Sequence, residues 1–300
     1  MLKILNNRNS LLIVALILGL LFGWGVEFLK PLTLYILALV MVFSTTSFDF
    51  NLFKDYKFFA KATLISFFLN YILFGAILLT LAYFLIDEKE LFWGFVVIAA
   101  TPPGVAVIPF TFIFKGNSNF SLIGILGVYL LAIVASPLII KLFVKGVDLD
   151  IFQLVKVTFQ IIVVPILLSR ILLLKKIKPT IDKIRGKVVN WGFALIVYTV
   201  IGLNREVIFA DTQLLLKISL IFIISMFVAG FLYEFILRKK IAKDMRISQN
   251  LMFTIKSSGY AAGTALAVFG ERSALPSAFL AVFVLLYLIV IGFVFERKNT

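Results

Sequence analysis

Long apolar runs separated by short polar connections dominate the hydrophobic pattern of this chain. A helix that crosses a membrane needs about 20 mostly apolar residues, and runs of this length recur along the sequence. The pattern predicts ten transmembrane helices, at about 10–28, 31–48, 60–86, 91–114, 120–144, 151–174, 188–204, 212–237, 248–270 and 274–296. We expect an all-α membrane protein without an extramembrane domain, because the longest connection spans only about 175–187.

Composition supports a membrane environment and narrows the chemistry. The chain of 300 residues is 62% hydrophobic and 15% charged, with a mean hydropathy of +1.11, whereas about a quarter of the residues of a soluble domain are charged. It contains no cysteine and no histidine, which excludes disulfides, thiol chemistry and the usual zinc and haem ligands. We therefore expect no catalytic residues, no metal site and no cofactor.

Basic residues lie in short runs between the apolar segments, and their distribution predicts the orientation. Lys and Arg concentrate on the cytoplasmic side of membrane proteins, so the net charge of +14 does not indicate nucleic-acid binding here. With the N-terminus inside, 20 of the 29 basic residues lie on the inner side and 8 on the outer side, and the last is Lys256. This predicts a multi-pass protein of the cell (inner) membrane, held in the lipid bilayer as helices with both termini cytoplasmic.

Ten helices divide into two halves of five, at about 1–146 and 147–300, within a single transmembrane domain of residues 1–300. Because five is odd, the halves have opposite orientations, as in transporters with inverted repeats and a solute site near the midplane. The fourth helix of each half carries residues that break or loosen a helix. They are Thr101, Pro102, Pro103 and Gly104 in one half and Ser257, Ser258 and Gly259 in the other. The alternative is ordinary kinking and tight packing, since Gly and Pro are common in membrane helices.

The sequence around these breaks resembles that of a known transporter family. Residues 101–117 are similar, without a gap, to the pattern C-P-G-G-T-A-S-N-x-x-T-x-x-x-K-G-D, in which Thr111 takes the threonine position. Residues 256–261 resemble the pattern Q-N-S-G-L-A, followed by Ala-Leu-Ala at 265–267 and Ala-Leu-Pro at 274–276. The chain is thereby identified as a divergent member of the bile acid:sodium symporter family, which is related to the arsenite efflux permeases.

The resemblance implies a fold, and one part of the sequence departs from it. It implies a core domain in which broken helices four and nine cross at the midplane, a panel domain, and alternating access by movement of one against the other. The family's sodium sites use oxygen donors, because oxygen ligands hold hard cations. The positions that match those donors are Val107, Ile108, Met252 and Lys256. Three are apolar and one is a cation, so we predict that sodium coupling of the family type is lost.

Lys256 and Asn70 are polar residues inside predicted helices and complete the candidate site. A lysine at the centre of a membrane helix costs about 2.5–3.5 kcal/mol on insertion scales, so Lys256 either faces the solute pathway or extends to the membrane interface. In the pathway it either takes the position of a sodium ion and attracts an anion, or releases a proton and couples transport to protons. Asn70 either bonds between helices or lines the site. The predicted substrate and crossover site is Asn70, Thr101, Pro102, Pro103, Gly104, Thr111, Lys256, Ser257, Ser258 and Gly259.

The acidic residues are expected to lie in solvent and not in a binding site. Asp87, Glu88 and Glu90 form an outer acidic turn, and Glu234 lies near a helix end. The basic segment at 175–187 is expected to be a linker.

These features favour a secondary transporter of a small solute, expected to be an organic anion, that works without the family's sodium coupling. The alternatives are a sodium-coupled symporter with rearranged ligands and an uncoupled channel or facilitator. A membrane enzyme is disfavoured, because intramembrane hydrolysis needs an activated nucleophile, a metal or paired carboxylates. A sensor is disfavoured because the chain has no extramembrane domain. No oligomeric state is predicted.

Overall fold

The computed structural model describes residues 8–46, 55–104, 106–145, 151–174 and 176–296. All regular secondary structure in these residues is helical, as predicted. The helices are Arg8–Phe22 (α1), Val26–Thr45 (α2), Tyr56–Leu85 (α3), Lys89–Ala100 (α4), Val107–Ile113 (α5), Ser118–Phe143 (α6), Ile151–Leu172 (α7), Lys178–Leu203 (α8), Arg205–Ala210 (α9), Thr212–Leu237 (α10), Lys243–Thr254 (α11), Ser258–Phe269 (α12) and Glu271–Glu296 (α13).

Six of the described helices are long and apolar enough to cross a membrane: α2, α3, α6, α8, α10 and α13. Shorter apolar stretches lie in α1, α7 and α12. Two pairs, α4 with α5 and α11 with α12, are the halves of interrupted helices. The chain is therefore a multi-pass membrane protein. The predicted cytoplasmic termini include residues 1–7 and 297–300, which lie outside the described residues.

The start of α8 differs from the prediction. This helix begins at Lys178 and not at about 188, so most of the segment at 175–187 is helix and the prediction of a linker is wrong. Its first turns are polar, and Lys178 pairs with Asp182 one turn later at 2.7 Å. Hydrophobic run length detects only the apolar part of a helix, and these turns are polar.

Two helices contain a π-helical segment near their centre. The segment of α3 is Phe68–Phe74 and that of α10 is Ile223–Val228. The first packs against α11 and the second against α13. Short π segments inside α-helices occur frequently at functional sites, which makes the residues packed against them candidates for a site.

Packing separates the helices into two groups. The panel group is α1, α2, α7 and α8, in which α8 packs along both α1 and α2 and α7 packs along α2. The core group is α3 to α6 and α10 to α13, in which α3 packs on α6 and α13 packs on α4 and α12. The groups meet where α12 contacts α2 and α8 and where α7 contacts α6.

A buried ion pair lies inside the core group, and here the prediction that Glu234 lies in solvent is wrong. The side chain of Glu234 is 6% exposed and that of Arg246 is 5% exposed, with Nε and Oε1 2.8 Å apart. The same guanidinium donates to the carbonyls of Arg238 and Ile241 after the end of α10. A buried charge is tolerated when it is paired and hydrogen-bonded, which explains how both residues remain inside.

Candidate functional site

The two interrupted helices meet, and their breaks form a short antiparallel backbone pairing. The amide of Gly104 donates to the carbonyl of Ile255 at 2.9 Å, and the amide of Ser257 donates to the carbonyl of Pro102 at 3.1 Å. Residues 101–104 and 255–257 form this pairing and are called the crossover. Because the pairing joins α4 to the α11–α12 pair, each break supplies partners for backbone groups that the other has freed.

Proline and glycine meet the requirements of this pairing. Pro102 and Pro103 have no amide hydrogen, so α4 does not continue through them, and Pro103 lies opposite Lys256. A Cβ atom on Gly104 would lie 3.0 Å from the carbonyl oxygen of Lys256. The local sequence thus ends α4 and leaves room for the second break to approach.

The side chain of Lys256 points into the protein and does not extend to the membrane surface. It is 1% exposed. Its Nζ atom donates to Oδ1 of Asn70 at 2.8 Å, to the carbonyl of Ala99 at 2.8 Å and to the carbonyl of Thr101 at 2.7 Å. The ring of Tyr71 has its centroid 4.6 Å from Nζ, within the range of a cation–π interaction. The side chain therefore does not extend to the membrane interface, which was one of the two positions that the sequence left open.

The ammonium of Lys256 caps the end of α4. The last carbonyls of a helix have no partner within the helix and need other donors. Those of Ala99 and Thr101 accept from Lys256, and that of Ala100 accepts from Oγ of Ser136 at 2.6 Å. The C-terminal end of a helix dipole is negative, so a cation is stabilised there without a carboxylate.

Asn70 joins α3 to the second broken helix. It lies in the π segment of α3 and is fully buried. Its Oδ1 accepts from Lys256, and its Nδ2 donates to the carbonyl of Met252 in the last turn of α11 at 3.2 Å. A single amide therefore contacts the cation at the end of α4 and a backbone carbonyl near the end of α11. It forms bonds between helices, which is one of the two roles that the sequence left open.

Three predicted site residues lie apart from this cluster. Thr111 of α5 shares a hydrogen bond with Ser121 of α6 at 2.9 Å. A Cβ atom on Gly259 would lie 2.1 Å from the ring of Phe193 in α8, so this glycine serves close packing of core on panel. Ser258 begins α12 and is partly exposed. The residues that the structure brings together are Asn70, Thr101, Pro102, Pro103, Gly104, Lys256 and Ser257.

Val107, Ile108 and Met252, which the sequence resemblance aligned with the family's sodium donors, carry no side-chain oxygen. Val107 and Met252 are fully buried and Ile108 is partly buried. The three oxygen atoms around Nζ of Lys256 are already bonded to it. In the part of the chain that the structure describes, no group of three or more His, Cys, Asp or Glu is placed to hold a metal ion. The ammonium of Lys256 thus occupies the space among these three oxygens.

Polar contacts at one end of the molecule connect the panel and core groups. Lys30 of α2 pairs with the Glu271 carboxylate at the start of α13. The side chain of Asn204, which follows α8, donates to the carbonyl of Glu271 at 2.9 Å. Any separation of the two groups at this end has to break both contacts.

The acidic turn lies at the same end of α13, and its charges are more ordered than a solvated loop requires. Glu88 accepts two hydrogen bonds of 2.6 Å from Arg272, and Asp87 pairs with Lys217 at 2.9 Å. The side chain of Asp87 is nevertheless 91% exposed. The turn is therefore at the surface, as predicted, although two of its three carboxylates also hold neighbouring helices together.

Sequence reasoning missed several neighbours of Lys256. They are the rings of Tyr71 and Phe74 and the carbonyls of Ala99 and Thr101 at the end of α4. Tyr71 and Phe74 follow Asn70 closely in the chain. A polar residue inside an apolar helix indicates a candidate segment, but it does not predict that these two rings face Lys256. Backbone carbonyls have no signature in a sequence.

Comparison with known proteins identifies the family. A sequence model of the sodium bile acid symporter family matches residues 41–211. The match includes the first break and ends before the second. A search of curated proteins found no match. Because the matched segment covers more than half of the chain, this protein belongs to the sodium bile acid symporter family, whose members are membrane transporters.

Proposed function

We propose that this transporter moves a small organic anion by alternating access, without the sodium coupling of its family. The observation that carries the proposal is the position of Lys256, a buried ammonium at the crossover of two broken helices. All three of its hydrogen-bond partners are neutral oxygen atoms. Ionisable residues inside a membrane protein mark substrate or ion pathways, and a charge of this sign attracts anions and repels cations.

Lys256 replaces a bound cation in this proposal. A sodium ion needs oxygen donors, and the matching side chains at Val107, Ile108 and Met252 carry none. The ammonium instead binds Oδ1 of Asn70 and the carbonyls of Ala99 and Thr101 at the end of α4. Loading and unloading of a sodium ion then no longer accompany the transport cycle.

The ten-helix inverted repeat, with halves at about 1–146 and 147–300, is part of the proposal. Support comes from matched irregularities: α3 and α10, the third helix of each half, both have a central π segment, and the fourth helix of each half is interrupted. Matched breaks in corresponding helices are typical of transporters in which a solute binds between repeats.

The division into panel and core groups supports alternating access. The groups share few polar contacts at the end where Lys30 meets Glu271, so this end opens at a moderate energetic cost. By the distribution of basic residues this is the outer side of an inner membrane, with both termini in the cytoplasm. We propose that the contacts of Glu271 break when the site faces outward.

Ligand-dependent thermal stability tests the proposed substrate class. Purified protein is heated with a panel of carboxylates and sulfonates, beside matched neutral and cationic solutes. A ligand at 100 times its Kd stabilises the folded state by about 2.7 kcal/mol, so a bound anion raises the Tm visibly. A response confined to cations or neutral solutes would show that the anion assignment is wrong.

Uptake into proteoliposomes then separates a carrier from its alternatives. We expect the stabilising anion to accumulate above its external concentration when a driving gradient is imposed. Flux that only equilibrates the anion would identify an uncoupled channel or facilitator. Absence of any flux would contradict a transport function of this anion.

A further inference from the structure

A cavity lies in the core group, and none of the crossover residues lines it. It has a volume of about 640 Å³ and lies between the end of α3, the start of α4 and the end of α6. Its floor is mainly apolar and includes the rings of Phe92, Trp93 and Phe143. The indole of Trp93 packs against Phe269 with ring centroids 5.7 Å apart, so the floor is anchored to α12.

The walls of this cavity belong to the lipid-facing surface. Tyr83 and Leu142, which line it, are 72% and 67% exposed, and the adjacent Phe84 is 76% exposed. Large apolar side chains with such exposure at the ends of membrane-spanning helices meet lipid and not water. Aromatic rings of this kind concentrate at the level of the lipid headgroups. The cavity is thus open to acyl chains at the depth of the membrane interface.

Two lysines give the cavity a positive rim. Lys89 and Lys145 line it, and both are exposed. Neither takes part in an ion pair within the described ranges. The carboxylate that also lines the cavity, Asp87, is paired with Lys217. An anionic group between the two lysines therefore meets two ammonium groups whose charge is not compensated by these pairs.

We propose that this cavity binds an anionic phospholipid of the surrounding bilayer, independently of the transported solute. The phosphate lies between Lys89 and Lys145, and an acyl chain lies on the aromatic floor around Trp93. Lysines near a membrane surface attract anionic lipids, and the apolar floor makes the ligand an amphiphile and not a free inorganic anion. A zwitterionic phospholipid fits the floor but gains less from the second lysine.

Fluorescence of Trp93 provides a direct test, because this residue lines the cavity. The chain has three tryptophans, and Trp24→Phe with Trp191→Phe leaves Trp93 as the reporter. The protein is reconstituted in phosphatidylcholine with equal small fractions of brominated phosphatidylglycerol or brominated phosphatidylcholine, since bromine quenches a tryptophan that it contacts. We expect half-quenching at about tenfold lower fraction of the anionic lipid, given the attraction of two lysines. Equal quenching by both lipids overturns the proposal.

Charge-matched variants show whether the two lysines of the cavity cause the preference for the anionic lipid. Lys89→Gln with Lys145→Gln should abolish the preference for the anionic lipid, whereas Lys141→Gln with Lys156→Gln should keep it. The control pair removes the same charge from exposed positions outside the cavity. Preference that survives in the first variant, or falls equally in both, contradicts the proposal. Relief of quenching by soluble glycerol phosphate would show that the site takes a free phosphate and not a lipid. If a lysine variant fails to fold, the two brominated lipids still test the proposal in the reporter protein that keeps both lysines.

Discussion

Replacing Lys256 by methionine tests the structural role of the buried ammonium, since methionine is similar in length and uncharged. The substitution leaves three acceptors without their donor, namely Oδ1 of Asn70 and the carbonyls of Ala99 and Thr101. A buried acceptor that loses its partner costs about 1–3 kcal/mol. For three acceptors the free energy of unfolding therefore falls by roughly 3–9 kcal/mol from this term alone.

Removal of the charge offsets part of that loss. A lysine at the centre of a membrane helix costs about 2.5–3.5 kcal/mol, which the variant no longer bears. Subtracting the middle of the second range from the middle of the first leaves a net destabilisation of roughly 3 kcal/mol. One kcal/mol shifts the Tm by about 2–4 °C in chains of 150–250 residues. We therefore expect the Tm of Lys256→Met to fall by about 6–12 °C.

Tryptophan fluorescence during heating of the detergent-solubilised protein measures this change. Lys61→Met is the matched control, because Lys61 is an exposed lysine in the same helix as Asn70. Exposed substitutions usually change stability by less than about 0.5 kcal/mol, so the control should melt close to the unsubstituted protein. If Lys256→Met melts with the unsubstituted protein, the three hydrogen bonds do not hold the crossover together and the reasoning is refuted.

Two further predictions concern a close contact between helices and the buried ion pair. Gly259→Ala places a Cβ atom 2.1 Å from the ring of Phe193, so overpacking should lower the free energy of unfolding by about 1–3 kcal/mol. The control is Gly186→Ala, which has open space around its Cβ position and should be neutral or stabilising in its helix. Equal Tm values for the two variants would contradict the close approach of Gly259 to Phe193. Arg246→Met leaves Glu234 buried without its partner, so it should cost about 3–5 kcal/mol, and Glu234→Met in the same chain should restore part of the Tm. An unchanged Tm in the single variant would show that the buried pair is absent.

Much of the helical framework was predictable, because the bilayer imposes a length on apolar runs. The helix predicted at 212–237 is α10, Thr212–Leu237. The first break was predictable because Pro102 and Pro103 remove two amide donors in succession. The early start of α8 was missed because its first turns are polar, so the hydrophobic pattern does not detect them.

The partners within the site were not predictable from local pattern. Lys256 bonds to Asn70 and Ala99, which lie 186 and 157 positions away along the chain. Periodicity describes which face of one helix is apolar, and it contains no information on which atoms of distant helices meet. The π segment around Asn70 was missed for a related reason, since hydrophobic periodicity does not distinguish it from an α-helix.

Transport without sodium is the central claim, and the initial rate of uptake tests it most directly. Proteoliposomes of the unsubstituted protein receive the same gradient of the most stabilising radiolabelled anion, with either sodium or potassium as the inorganic cation. We predict equal initial rates in the two salts, with slower uptake in both for Lys256→Gln. Uptake that occurs in sodium and disappears in potassium would show that Lys256 does not replace the ion. The protein would then be a sodium symporter with rearranged ligands.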